Sequence, residues 1–223
     1  MTKKLFARAL GFLLGGMLFV ALLVFLPAGT LAYPGGWLLL GVVFLPMAPV
    51  GVVLMIKNPK LLEKRLSAKE KLGEQQLVIK LSALMFVAGF VLAGLDFRFK
   101  WTSLPEFVPP LAAALYLLGY VLYAEVLREN AYLSRTVEVQ EGQTVISTGF
   151  YGVVRHPMYT STLLLFLSMP LILGSALSFL CFLAYPAIIV KRIQSEEALL
   201  LGELSGYAEY RNKVRYRLIP FIW

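Results

Sequence analysis

Two charged groups on either side of an apolar stretch hold most of the side chains that could do chemistry. The first is Gly149-Phe150-Tyr151-Gly152-Val153-Val154-Arg155-His156-Pro157-Met158-Tyr159, which contains the chain's one histidine. The second is Lys191-Arg192-Ile193-Gln194-Ser195-Glu196-Glu197, reached after the apolar run from Thr160 to Val190. Pro157 has no N–H and disfavours helical geometry at His156, so this segment predicts a loop ending at a helix start. Arg192 and Glu196 lie one helical turn apart and can face one cavity, the guanidinium toward an anion and the carboxylate toward a cation. The same spacing also suits a simple surface ion pair worth a few tenths of a kcal/mol. Glu197 points about 100° away and is expected behind such a site or on the surface.

Other chemistries are poorly supported. One histidine and one cysteine without clustered carboxylates do not make a zinc site. There is no glycine-rich phosphate loop between a strand and a helix, and no serine in a nucleophile-elbow motif. Cys181 alone excludes an intrachain disulfide.

The elements that must position these groups are membrane helices. The chain is 59% hydrophobic and 15% charged, with its apolar residues in long runs. The hydropathy pattern predicts four spans, at Ala9–Leu26, Trp37–Ile56, Leu77–Leu95 and Phe107–Leu127. The first follows Lys3, Lys4 and Arg8 like a signal sequence but is read as an uncleaved span. Gly11, Gly15 and Gly16 are expected at close helix contacts, and Pro46 and Pro49 are expected to kink the second span. Lys57–Gln76 carries six Lys/Arg, and Leu61, Leu62, Leu66 and Leu72 could form the apolar side of an interfacial helix. Arg128–Gly149 reads as a polar loop with a turn at Glu141-Gly142 and alternation over Thr136–Val139. Met158–Leu173 and Ala176–Val190 read as two short arms of a steep hairpin meeting at Gly174-Ser175. Glu196–Arg211 reads as a surface helix. The expected fold is therefore an all-α polytopic membrane bundle: four spans, a C-terminal helical hairpin and a cytoplasmic surface helix. It divides into membrane-spanning residues 1–127 and a C-terminal core, 128–223.

The net charge of +8 could suggest nucleic acid, but the basic residues sit between apolar runs, as in loops beside anionic lipid. In the expected topology 19 of the 21 Lys/Arg lie on one side, and only Arg98 and Lys100 on the other. That bias predicts cytoplasmic termini and a cytoplasmic site.

The Gly-x-Tyr…Arg-His-Pro-x-Tyr element, with Arg-x-x-x-Glu-Glu after it, resembles the isoprenylcysteine carboxyl methyltransferases, whose wider group includes phospholipid N-methyltransferases. The tail Gly206-Tyr207-x-x-Tyr210…Val214-Arg215-Tyr216-Arg217-Leu218-Ile219-Pro220 also resembles that family's ending, so the likeness covers about residues 130–220. Phe150 stands where members often have proline, and Thr160 where they often have glycine.

The resemblance implies S-adenosylmethionine as methyl donor and no metal. It implies donor contacts at Gln143, Thr144, Val145, Ile146, Tyr151, His156, Pro157, Met158, Tyr159 and Glu196. It also places a lipophilic or prenylated acceptor on Arg192, so that Arg192 and Glu196 carry the catalysis. The leading expectation is carboxyl methylation of a prenylcysteine-like acceptor. A phospholipid amine N-methyltransferase, a membrane thiol methyltransferase and a non-enzymatic lipid-binding protein stay open. Glu125 and Asn130 could reach the pocket or cap the interface.

Overall fold

The computed structural model describes residues 3–66, 73–133 and 137–223. Its long apolar helices pair their interior backbone groups within themselves except opposite the interior prolines, such as Pro46 and Pro49, which meets the main condition for crossing a bilayer. α1 (Lys3–Ala28) ends at Gly29, whose positive φ of 68° and N–H bond to the Phe25 carbonyl close the helix. α2 (Pro34–Lys57) opens on proline and remains helical through Pro46 and Pro49. Asn58 then ends α2 and caps α3 (Pro59–Leu66): its Oδ1 accepts the Leu61 N–H at 3.1 Å, and Pro59 takes the first helical position. A helix therefore does form within the segment, as α3, but Leu61 and Leu62 are buried against the rest of the protein instead of forming an outward apolar side. Leu72 lies outside the described residues, as does Thr136 in the loop further on.

α4 (Gly73–Phe99) and α5 (Val108–Glu129) are the third and fourth long helices; α4 extends about a turn beyond the expected span at each end, and α5 lies within two residues of its expected bounds. Residues 137–148 form an irregular loop, with no strand at Val137–Val139, followed by a 3-10 turn at Gly149–Gly152. The hairpin comprises α6 (Pro157–Ile172), α7 (Ala176–Phe182) and α8 (Ala184–Glu203). Its return arm is longer than expected. Ala176–Glu203 is apolar and long enough to cross a membrane, which gives five candidate spans among the described residues, with α6 shorter. The expected surface helix Glu196–Arg211 is not one element. Glu196 and Glu197 belong to α8, the chain breaks at Gly206 with φ 81°, and a separate α9 runs Tyr207–Lys213. α8 continues through these charged residues with Ile189, Ile193 and Glu197 on its buried face.

α5 packs along α6, α1 along α4, and α2 against α1, α5 and α6. A single buried cluster runs through them from Val24 to Leu218. The close approaches fall on different glycines from those expected. Gly11 and Gly15 have nothing within 4 Å of an added Cβ. At Gly94 an added Cβ would lie 2.5 Å from the Val24 carbonyl oxygen, and at Gly119 3.0 Å from the Leu164 Cβ. These glycines set the α1–α4 and α5–α6 distances. The outward faces carry Leu18, Phe19, Leu45, Leu84 and Val121, exposed as a lipid-facing belt would be.

The hairpin tip is pinned to the far ends of α2 and α4. Buried Asp96 accepts from the Thr102 N–H at 2.7 Å, the Thr102 hydroxyl at 2.5 Å and the Ser175 hydroxyl. The Tyr33 hydroxyl donates to the Leu173 carbonyl at 2.5 Å. A carboxylate this deep is stable only because its lone pairs are taken. With the tip fixed there, the first turn of α6 and the last turns of α8 meet at the opposite end of the bundle.

Candidate active site

Pro157 starts α6, and His156 before it has φ −125° and ψ 60°, outside helical geometry. The backbone N–H groups that proline frees do not point into an open pocket. Arg155 N donates to the Tyr216 carbonyl and His156 N to the Arg217 carbonyl, each at 2.9 Å. Thr160, at the position where a glycine is common, donates its hydroxyl to the Leu218 carbonyl at 2.8 Å. Backbone groups expected to be open for ligand are therefore spent on the tail, which is stitched against the motif loop.

Glu197 is the centre of that stitching. It is only 4% exposed, neither on the surface nor idle behind the site. Oε1 accepts from Arg155 Nε at 2.7 Å and lies 3.2 Å from His156 Nε2, while Oε2 accepts from Arg217 Nε at 2.9 Å. Arg155 Nη1 also donates to the Val214 and Arg215 carbonyls, both at 2.8 Å. This is a fully engaged buried ion cluster, the form in which interior charges persist.

Glu196, one residue earlier, faces the other way. Its carboxylate accepts from the Tyr159 hydroxyl at 2.5 Å, and the same hydroxyl oxygen accepts from Arg192 Nε at 2.9 Å. Arg192 also lies 6.0 Å from the Tyr159 ring centroid, and the His156 and Tyr159 rings stack 5.8 Å apart. A relay Arg192–Tyr159–Glu196 thus forms one wall of a cavity of about 850 Å³, measured out to open solvent.

Gln143, Thr144, Val145, Ile146, Tyr151, His156, Met158, Tyr159, Arg192 and Glu196 all line this cavity. Pro157 does not; it is buried in the first turn of α6 and acts on the wall only by shaping it. The loop holding Gln143–Ile146 is set by a turn in which Gln143 N donates to the Gln140 carbonyl at 3.0 Å and Gly142 has φ 70°. Asn130 also lines the cavity and donates to the Tyr151 hydroxyl at 2.9 Å. Glu125 instead forms an exposed pair with Arg128 at 2.5 Å.

Tyr207 and Tyr210, quoted above only as part of the tail motif, also line the cavity. Tyr210 donates to the Tyr151 carbonyl at 2.7 Å, whereas the buried Tyr207 hydroxyl has no hydrogen-bond partner among the described residues. Burial pushes the phenols of Tyr151, Tyr207 and Tyr210 well up, so all three stay neutral donors. Their spacing in the tail motif was the available signal.

The cavity therefore offers a guanidinium and a carboxylate bridged by one phenol through two hydrogen bonds, aromatic faces, and a loop edge of polar side chains. Such a wall suits a ligand carrying both charge signs and a flat ring.

Comparison with known proteins agrees in kind. Residues 109–204 match the family model described as phospholipid methyltransferase. The fold matches the solved structure of a eukaryotic intramembrane Ras methyltransferase, an isoprenylcysteine carboxyl methyltransferase, with a TM-score of 0.57. That match is 19% identical and covers 86% of this chain and 69% of the other. A Delta(14)-sterol reductase of Mus musculus is 31% identical over 91 residues, 40% of this chain, and one of Methylotuvimicrobium alcaliphilum 24% over 93 residues. The chain spans only 22% of the length of either reductase. Residues 109–204, the segment that builds the α5–α6 contact and most of the cavity wall, are thus similar to the phospholipid methyltransferase family, and the fold around them is that of the intramembrane methyltransferase.

Proposed function

We propose that the protein is a membrane methyltransferase that takes S-adenosylmethionine in the cavity and methylates a carboxylate on a lipophilic, prenylcysteine-like acceptor. The observation that carries this is the Arg192–Tyr159–Glu196 relay on the cavity wall. The donor brings a carboxylate, an ammonium, a sulfonium and an adenine ring. Glu196 can face a cationic part, Tyr151 and Tyr159 can pack on the ring, and the unpartnered Tyr207 hydroxyl supplies a donor that needs an acceptor. When bound, the donor supplies an activated methyl group on sulfur.

A carboxylate acceptor is already ionised at neutral pH, so the chain needs no general base. Its oxygen lone pair forms the new C–O bond as the methyl–sulfur bond breaks, and the electron pair stays on sulfur, leaving a neutral thioether. Arg192 is placed to orient the attacking group and Tyr159 to hold Arg192. Catalysis is then positioning in a water-poor site. The lipid-facing belt and the cytoplasmic charge bias support an acceptor that arrives from the bilayer and a donor from the cytoplasm.

A second reading, methylation of a phospholipid amine, is favoured by the description of the matched family. There an amine must first lose a proton, and Arg192 would face a phosphate. The test is the purified protein in lipid with methyl-labelled donor and both acceptor classes. Base-labile label on the prenylcysteine acceptor supports the ester reading; base-stable label on the phospholipid replaces it. Binding of a nicotinamide dinucleotide in place of the donor would sink both and point to the chemistry of the reductases.

A further inference from the structure

Arg65 stands on the last turn of α3, far in sequence from the motif loop and not itself on the cavity lining, yet its guanidinium touches Met158, which is. Nη1 lies 3.9 Å from the Met158 sulfur, and Nη2 donates to the Tyr123 hydroxyl. The guanidinium carbon is 5.5 Å from the Tyr123 ring centroid. Met158 lines the cavity beside Tyr159, which accepts from Arg192. Consecutive residues on the first turn of α6 therefore each touch a guanidinium, one from α3 and one from α8.

α3 is built to hold this position. Asn58 caps it, Leu61 and Leu62 are buried, and Arg8 of α1 donates to the Leu66 carbonyl at 3.1 Å. The field of Arg65 extends into the cavity. Burial pushes the Tyr151 phenol up, the Asn130 hydrogen bond opposes that, the Glu196 charge adds to it, and the Arg65 charge opposes it as well.

The donor brings one carboxylate, and Arg192 with Glu196 already gives the wall both charge signs. Arg65 adds a cation on the other side of Met158, between α3, α5 and α6, where a lipid-borne ligand would enter. We propose that Arg65 is an anion-binding group of the acceptor site, holding the carboxylate oxygen that is not methylated, or the phosphate of a phospholipid acceptor. This rests on the reading that the cavity takes a methyl donor and a lipophilic acceptor. Its consequence is selective release: esterification removes the charge that Arg65 grips, so product binds more weakly than substrate.

The test uses the full chain in phosphatidylcholine nanodiscs with S-adenosylhomocysteine. Three amphiphiles are titrated: N-acetyl-S-farnesylcysteine, its neutral methyl ester, and lysophosphatidate. Wild type is expected to bind at least one anion about tenfold more tightly than the ester, the loss of one charge-assisted contact. Arg65→Gln should reduce that ratio to about threefold or less, Arg65→Lys should keep most of it, and S-adenosylhomocysteine affinity should not change. Preference for the acid identifies the carboxylate source, and preference for lysophosphatidate the lipid phosphate. Tyr123→Phe removes only the hydroxyl that holds Arg65; an intermediate loss supports the site even if Arg65→Gln fails to fold. No anion preference in wild type, or a ratio unchanged in Arg65→Gln, overturns the proposal. A parallel fall in S-adenosylhomocysteine affinity overturns it too, by moving Arg65 to the donor. An Arg65-dependent anion preference in a protein that does not bind S-adenosylhomocysteine keeps the anion site and removes the methyltransferase reading.

Discussion

Glu197→Gln keeps the side chain's shape and removes the charge shared by Arg155, His156 and Arg217. In the wild type these contacts lie at 2.7, 3.2 and 2.9 Å, and Glu197 is 4% exposed, so water cannot replace it. Removing one partner of a buried ion pair costs about 3–5 kcal/mol. Glutamine retains one acceptor oxygen, which places the expected loss near the lower end, about 3 kcal/mol. For a chain of this size that corresponds to a fall in Tm of about 6–12 °C. The neighbouring change supplies the control. Glu196 is half-buried and bonded to Tyr159 rather than to the cluster. Glu196→Gln should leave Tm within about 2 °C and weaken S-adenosylmethionine binding by about 1.5 kcal/mol, roughly tenfold. The assays are thermal unfolding in detergent and calorimetric titration with the donor. The crossed pattern is the prediction: one variant loses stability, the other affinity. A Glu197→Gln protein that melts with wild type while losing donor affinity would refute the division of labour between the two carboxylates.

Arg192→Lys preserves charge but loses the planar fork; donor affinity should stay near wild type while turnover of a carboxylate acceptor falls on the order of 100-fold, read by steady-state kinetics. Gly94→Ala would press a Cβ to 2.5 Å from the Val24 carbonyl and force α1 and α4 apart. It should cost about 1–3 kcal/mol in thermal unfolding, whereas Gly11→Ala, in open space, should be neutral or mildly stabilising. The charge bias predicts that Lys64→Cys, in a chain with Cys181→Ala, is labelled from the cytoplasmic side; lumenal or periplasmic labelling would reverse the topology.

The spans were legible because lipid imposes one rule, apolar length, that hydropathy reads directly. The Arg-His-Pro break marked the start of α6 through proline's local backbone chemistry. Features decided by which faces meet were not legible. Gly11 and Gly94 look alike in sequence, yet only Gly94 meets a neighbouring backbone. The Glu196-Glu197 pair announced two directions about 100° apart, but not that Arg217 would come back to occupy the second. Asp96 read as part of a polar loop, because the hydroxyls that bury it come from Thr102 and from Ser175 at the hairpin tip. Arg65 read as one of six basic loop residues, since its partners, Tyr123 and Met158, lie on helices not yet formed at that point in the chain.

The tail that holds the motif loop also sets an order of events during biosynthesis. The backbone of Arg155 and His156 is satisfied only by residues 216 and 217, and the Arg155 side chain by residues 197, 214 and 215. A ribosome that has released α1 to α8 has delivered all five candidate spans and most of the cavity wall, yet the loop still lacks the tail that closes it. The nascent protein can therefore be inserted, helical and protease-resistant in the bilayer while still unable to retain donor. Closure of the cavity is therefore a late event of synthesis, and a ribosome stalled between residues 203 and 214 would leave the long helices in place with the motif loop unstitched.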